Sequence, residues 1–300
     1  MPCYHPLTMG FDSNGERTFK EKKHHPEFIP IKIGCGKCIG CRIDRSREWA
    51  VRCVHELQMH QKSCFITLTY QDSELVYTEE GEPTLFHEHW QLFMKKLRKK
   101  YGSQISFFMC GEYGDQTHRP HYHALLFGVD FEDKLLLRQN ENGDPIYISK
   151  TLDELWGHND ADLKPNEIGA ANFQTAAYIA RYVVKKLGGP MEALYNGRTP
   201  DYGKASRQYA IGKKWLEKYW EDIFNYNDCR LPDGTRTPIP RYYTKWLEKN
   251  HFDRYMLYRA RDTSHMDTPE FKHEQSPQRL RVKEKIKKSS IKRLRRDYQG

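Results

Sequence analysis

The stretch His118-Arg119-Pro120-His121-Tyr122-His123-Ala124-Leu125-Leu126-Phe127 constrains this chain more than any other. Pro120 can open a strand, where its missing donor is tolerated, and the apolar run from Ala124 to Phe127 continues it. Alternate side chains of a strand share a face. His121 and His123 therefore point the same way and are able to hold one metal ion. A third ligand is needed. Phe107-Phe108-Met109-Cys110-Gly111-Glu112-Tyr113-Gly114 reads as another strand ending near the first, which makes Glu112 the leading candidate and His118 the alternative. Two imidazoles, one carboxylate and open positions would accept Mg²⁺ or Mn²⁺ once substrate oxygens complete the shell, although imidazole alone favours Zn²⁺ or Ni²⁺.

A second constellation lies about 55 residues on, in Tyr178-Ile179-Ala180-Arg181-Tyr182-Val183-Val184-Lys185-Lys186. At about 100° per residue, Ala176, Ile179, Ala180, Val183, Val184 and Leu187 fall on one side of a helix. Tyr178 and Tyr182 stand one turn apart on the other side, with Arg181, Lys185 and Lys186 beside them. A tyrosine pair on a helix is commonly a half-buried spacer. Here the phenols avoid the apolar stripe, as a nucleophile would. A phenol of pKa near 10 is a poor nucleophile at pH 7, so it needs neighbouring positive charge or a base. Lys185, Lys186 and Arg181 can supply the charge, and a divalent ion on the histidines can polarise a phosphodiester.

Cys35, Cys38 and Cys41 form a C-x₂-C-x₂-C cluster, to which Cys3, His5, Cys53 or Cys64 can add a fourth donor. Four such donors suit structural Zn²⁺. An iron–sulfur run would want a cysteine where Arg45 stands, and free thiols in a glycine-rich turn are the plain alternative. No apolar run of 18 residues is present and the N-terminus lacks the build of a signal peptide, so a cytosolic protein with reduced thiols is expected. Nearly all of the formal net charge of +9 sits in residues 271–300, where 11 Lys and Arg face three carboxylates. A tail of that density, including Arg293, Arg295 and Arg296, either binds polyanions or solubilises.

Three features together, in order, resemble the motifs of HUH endonucleases of the rolling-circle class: the strand Phe65-Ile66-Thr67-Leu68-Thr69-Tyr70, the pair His121-Tyr122-His123, and the tyrosines Tyr178 and Tyr182. More narrowly, Met1-Pro2-Cys3-Tyr4-His5-Pro6, Cys35-Gly36-Lys37-Cys38-Ile39-Gly40-Cys41-Arg42 and Ser46-Arg47-Glu48-Trp49-Ala50 are similar to replication initiators of gokushoviruses, single-stranded DNA phages of the microvirus family. The resemblance covers roughly residues 1–245. It implies a site-specific nickase that forms a 5′-phosphotyrosine link on an origin in single-stranded DNA, leaves a 3′-hydroxyl, and rejoins the product circle. It further implies a host helicase and polymerase as partners, in the cytoplasm of the bacterial host. Many relatives carry an aliphatic residue where Tyr122 stands.

The architecture expected is α+β: a central antiparallel sheet with flanking helices, the helices on one face and the site on the other. Residues 1–41 are expected as a loop-rich segment with the zinc site, 42–190 as the endonuclease core, 191–262 as an extension, and 263–300 as a disordered basic tail. Helices are expected over 42–61, 86–100 and 172–187, strands over 65–70, 105–111 and 121–129, and a hairpin turn at Asn142-Gly143. Two other functions remain open on the sequence: a non-catalytic zinc-containing nucleic-acid-binding or packaging protein, and a hydrolase that activates water and leaves the tyrosines idle.

Overall fold

The computed structural model describes residues 3–11, 17–19, 31–114, 117–185, 195–208 and 210–293. The chain groups into two compact units, one of residues 46–259 and one of 1–45 together with 260–300.

In the larger unit the chain forms β4 (Ser63–Leu68), the short hairpin β5 (Val76–Tyr77) and β6 (Pro83–Thr84), α2 (His87–Tyr101), β7 (Ser106–Tyr113) and β8 (Pro120–Phe127). It continues through β9 (Leu135–Gln139), β10 (Pro145–Ile148), α3 (Lys150–Trp156), β11 (Glu167–Gly169), α4 (Phe173–Lys185) and β12 (Tyr202–Ala205). Helix α1 spans Ile39–Leu57, with Ser46 onward in this unit. Seven strands make one antiparallel sheet in the order β12-β7-β8-β4-β11-β10-β9. The turn between β9 and β10 uses Gly143 at φ 84, as its Asn-Gly sequence signals.

Directly opposed residues share a face. On one face His121, His123, Leu125 and Phe127 of β8 stand opposite Glu112, Cys110, Phe108 and Ser106 of β7, and Thr67, Phe65 and Ser63 of β4 oppose the last three. Ala50 and Cys53 of α1 and Ala176, Ile179 and Ala180 of α4 close the core there. The other face carries Tyr122, Ala124, Leu126, Met109, Ile66 and Leu68, covered by Trp90, Phe93, Met94 and Leu97 of α2 and Leu152 and Trp156 of α3. Each such fully buried side chain contributes about 1.5–3 kcal/mol. Helices thus cover both faces, which corrects the one-sided layering. The reason is visible in β8, whose unbroken run Ala124–Phe127 is apolar on both sides and needs two covers.

Later in the chain, α5 (Lys213–Tyr226) and α6 (Arg241–Asn250) pack Trp215, Leu216, Ile223, Phe224, Tyr243 and Leu247 around Val51. Helix α7 spans Phe252–Thr263, and β13 (Cys229–Arg230) and β14 (Arg236–Thr237) form a second small hairpin.

The smaller unit differs from expectation twice. Its first residues are not only loop: β1 (Leu7–Phe11), β2 (Arg17–Thr18) and β3 (Ile31–Ile33) form a sheet in the order β2-β1-β3. The segment expected to be disordered forms α8 (Pro269–Glu274) and α9 (Pro277–Arg293). Thr268 caps α8 with its side chain, and Leu280 of α9 is buried against Tyr4 and Cys38. Ion pairs of Glu274 with Arg279 and Lys283 and of Glu284 with His5 add to this apolar anchor. Two further sequence signals, Asn14-Gly15 for a turn and Gly188-Gly189-Pro190 for the end of the tyrosine helix, lie outside the described residues.

Candidate active site

Glu112, His121 and His123 converge as the register dictates, their ligand atoms all within 4.8 Å of one another. Glu112 stands directly opposite His121, and His123 lies two residues on, on the same face. His121 Nε2 is 3.1 Å and His123 Nε2 2.9 Å from the same carboxylate oxygen, Glu112 Oε1. His118, the alternative ligand, is exposed in a left-handed turn at φ 51 and outside this group.

The imidazoles are oriented from behind. His121 Nδ1 lies 3.2 Å from the Arg119 carbonyl, which only accepts, so Nδ1 donates and the neutral ring keeps its lone pair on Nε2. Thr67 Oγ1 is 2.9 Å from His123 Nδ1 across the β4–β8 pairing. Arg119 is itself fixed by Tyr70 O at 2.7 Å and by Asp72. Phe65 stacks on His123 with centroids 5.6 Å apart.

A lone pair on His121 Nε2 facing a carboxylate oxygen at 3.1 Å is a contact between two acceptors. It is stable only with a proton or a cation between them. Glu112 Oε2 points the same way: it is buried and has no hydrogen-bond partner among the described residues, at a cost of about 1–3 kcal/mol for an unsatisfied polar group. Burial pushes the Glu112 carboxyl up, but when the facing imidazoles carry protons their hydrogen bonds and charge outweigh it and hold it well below the usual carboxylate range. Burial pushes His123 down against the pull of Glu112. The donor set and the orphaned oxygen fit a divalent cation.

Tyr178 reaches this group from α4. Its hydroxyl donates to Glu112 Oε1 at 2.9 Å and lies 3.4 Å from His123 Nε2. The ring meets His123 edge-on at 5.0 Å, and the Arg181 guanidinium lies 5.3 Å from its centroid. The buried stripe Ala176, Ile179 and Ala180 is the expected one, but it leaves Tyr178 half-buried over the sheet rather than facing solvent. Tyr182 and Lys185 lie in α4, with their side chains outside the described residues, as are Arg293's side chain and all of Lys186, Arg295 and Arg296. Tyr122 is buried on the opposite face and donates to Phe86 O at 2.8 Å.

Thr67 and the Arg119 carbonyl are the contacts of the two imidazoles that sequence reasoning missed. Both sit inside quoted strand segments, but only the register shows what they touch. The cysteine cluster assembles as Cys3, Cys35, Cys38 and Cys41. Cys53 and Cys64 are excluded as ligands because both are buried in the sheet core, and His5 instead pairs with Glu284 at 2.8 Å.

Residues 63–187, which include Glu112, both histidines and Tyr178, match the family described as replication-associated protein ORF2/G2P. The replication-associated protein VP4 of Bdellovibrio phage phiMH2K is 36% identical over 272 residues, 87% of this chain and 82% of that protein. The chain belongs to the phage replication-associated protein family. Replication-associated protein ORF2 of Spiroplasma virus 4 is 31% identical over 278 residues, 86% of this chain and 83% of that one. Replication-associated protein ORF4 of Chlamydia phage 1 is 29% identical over 238 residues, 75% and 56% of the two chains. No solved structure matches the chain. Among the described residues of this replication-associated protein, no helix is long and apolar enough to cross a membrane.

Proposed function

We propose that this replication-associated protein initiates rolling-circle replication by nicking single-stranded or locally melted DNA at an origin, with Tyr178 as nucleophile. One observation carries the reading: the Tyr178 hydroxyl donates to the same Glu112 oxygen that both histidines face. A nucleophile and a ligand set share one point, with the phenol held in place by the oxygen that both histidines face.

Glu112, His121 and His123 would hold Mg²⁺ or Mn²⁺, which when bound supplies Lewis-acid stabilisation of charge on the phosphoryl oxygens. The protein's residues do the rest. Thr67 and the Arg119 carbonyl fix the two rings, Phe65 excludes water from one side of His123, and α4 delivers the phenol. The Tyr178 phenol gives up its proton to solvent, its oxygen forms the bond to phosphorus, the bond from phosphorus to O3′ breaks, and O3′ takes up a proton from solvent to leave a 3′-hydroxyl. The product is a 5′-phosphotyrosine link, and attack by a 3′-hydroxyl reverses the step to close a circle. Tyr182, one turn on, is the second nucleophile for a further round, with Lys185 as its cation. Arg181, Lys186, Arg293, Arg295 and Arg296 contact the phosphate backbone. The thiols Cys3, Cys35, Cys38 and Cys41 hold structural Zn²⁺. Host polymerase extends the 3′ end while a host helicase separates the strands, in the cytoplasm of the bacterial host.

A denaturing gel after incubation with genome-derived single-stranded oligonucleotides and Mn²⁺ tests this. A covalent adduct is expected. Cleavage without adduct would indicate a water-activating hydrolase, and retention of DNA with neither a binding or packaging protein.

A further inference from the structure

The cysteine cluster is built more like a metal centre than like four free thiols. Cys35 Sγ and Cys41 Sγ are 4.0 Å apart and Cys3 Sγ and Cys38 Sγ 3.9 Å. A tetrahedron with bonds of about 2.3 Å puts sulfurs roughly 3.8 Å from one another, whereas a disulfide needs about 2.05 Å. Backbone donors converge on the sulfurs. Cys35 Sγ accepts from the N–H of Lys37 at 3.4 Å and of Cys38 at 3.3 Å, and Cys38 Sγ from Tyr4 at 3.4 Å and Cys41 at 3.5 Å. Cys3 Sγ accepts from Cys35 N–H at 3.2 Å. Such donors favour thiolates over thiols.

The cluster is also where α9 is anchored. Tyr4, Cys38 and Leu280 form a small buried core, with Cys3, Cys35, Ile39 and Cys41 around it. Leu280 is the buried apolar residue of α9, while Val282 and Ile286 of the same helix are exposed. One turn on, His5 Nε2 meets Glu284 Oε2 at 2.8 Å. The loop that supplies Cys3 therefore grips α9 at two successive turns, and Lys283 and Arg279 tie the helix start to Glu274.

A different side of α9 carries Arg281, Lys285 and Lys288 at i, i+4 and i+7, all exposed. They form one stripe about 10.5 Å long, and the same spacing reaches position 292. Lys288 meets Glu284 at 3.0 Å. Arg281 and Lys285 make no ion pair among the described residues.

We infer that Cys3, Cys35, Cys38 and Cys41 bind one Zn²⁺ as thiolates and that this zinc holds α9 in place as a phosphate-binding helix for single-stranded DNA. Each thiol releases its proton to solvent on binding. The inference rests on the zinc assignment of the proposed function and is independent of Tyr178.

The full chain, purified without added metal, should contain about one zinc by elemental analysis, and Co²⁺ exchange should give the intense absorption of tetrahedral cobalt thiolate. Removing zinc with a chelator should abolish hydrogen-exchange protection at Leu280 and its neighbours. It should also lower the log–log salt slope for a mixed-sequence oligonucleotide by about 2, since three cations each contribute about 0.7. Replacing Arg281, Lys285 and Lys288 together by Ala should lower the slope equally while leaving zinc and protection intact. Folded protein without zinc overturns the site. Zinc whose removal changes neither protection nor slope overturns the coupling, and a triple variant with the wild-type slope overturns the DNA contact. None of these readouts needs cleavage, so failure of the tyrosine reading shows separately as a missing adduct.

Discussion

Replacing Glu112 by Gln removes one charge from the centre of the site and keeps its shape. Oε1 of Glu112 is the meeting point of His121 Nε2, His123 Nε2 and the Tyr178 hydroxyl, at 3.1, 2.9 and 2.9 Å. An amide oxygen can occupy the same place but brings no charge to a cation. Loss of an outer-shell partner alone weakens a metal site by about 10–100-fold, so loss of this ligand should weaken it by about 100-fold or more, about 2.7 kcal/mol. At a Mn²⁺ concentration 100 times the wild-type Kd, wild type gains about 2.7 kcal/mol of stability, and a site 100-fold weaker gains about 0.4 kcal/mol. Without metal the carboxylate still gains from His121 and His123, which hold its pKa down, so the metal-free variant should be no more stable than wild type. Urea unfolding with and without Mn²⁺ measures both halves, and the adduct gel should show the activity falling with the metal. A Glu112→Gln protein that keeps the full Mn²⁺-dependent stabilisation would refute the ligand assignment.

Tyr178→Phe should lower adduct formation on an oligonucleotide by more than about 1,000-fold, while Tyr182→Phe keeps a single nick and loses repeated circle release. Wild-type adduct yield from Tyr178→Phe would move the nucleophile elsewhere. His55 is buried, stacked 3.5 Å from Trp215, with Nδ1 2.8 Å from Tyr243 OH and Nε2 3.2 Å from Arg230 O. Burial pushes it down to about 4. The unfolded chain therefore binds more protons between about pH 4 and 6.5, and the stability present above 6.5 is lost as pH falls, about 2 kcal/mol from pH 7 to pH 5. His55→Gln should flatten that part of the urea profile; an equally steep variant assigns the loss to other groups. A Cβ at Gly111 would lie 2.9 Å from Tyr122 Cε1 and 3.0 Å from Leu85 Cδ2. Gly111→Ala should cost about 1–3 kcal/mol and weaken Mn²⁺ binding by displacing Glu112, and wild-type values for both in calorimetry would show that the face has slack.

What could be read from the sequence was whatever depends on local period. Pro120 does open β8, His121 and His123 do share a face, and Ala176, Ile179 and Ala180 are the buried stripe of α4. What could not be read depends on partners far along the chain. Only strand pairing selects Glu112 over His118, and only it brings Thr67 to His123. The edge strand β12 hides in Tyr-Gly-Lys-Ala, which has no alternation, yet it pairs with β7 from Gly111 to Phe108. The C-x₂-C-x₂-C spacing announces three thiols and Cys3 stands among the candidates for the fourth, which the structure selects across more than 30 residues. The composition of residues 263–300 suggests disorder because charge outweighs apolar content, whereas in residues 269–293 Leu280 enters a small core and Glu274 and Glu284 are ion-paired, contacts that composition does not show.

The same pattern that builds the core also aims the site. Leu125 and Phe127 pack beneath α1 and α4 only in the register that pairs them with Phe108 and Ser106, and that register sets Glu112 opposite His121. Slipping β8 by one residue against β7 would turn Tyr122 and Leu126 toward the helices and both histidines into the opposite core. It would bury two imidazoles among Trp90, Tyr70 and Trp156, with no carboxylate to meet them. The cost of that slip is paid in apolar area as well as in unpaired polar groups, so the ligand geometry inherits the rigidity of the sheet. Tyr178 depends on the same fit from above, since Ala176, Ile179 and Ala180 seat α4 on the sheet close enough for its phenol to reach Glu112. Substitutions that enlarge those alanines should therefore lift the Tyr178 phenol away from Glu112 Oε1.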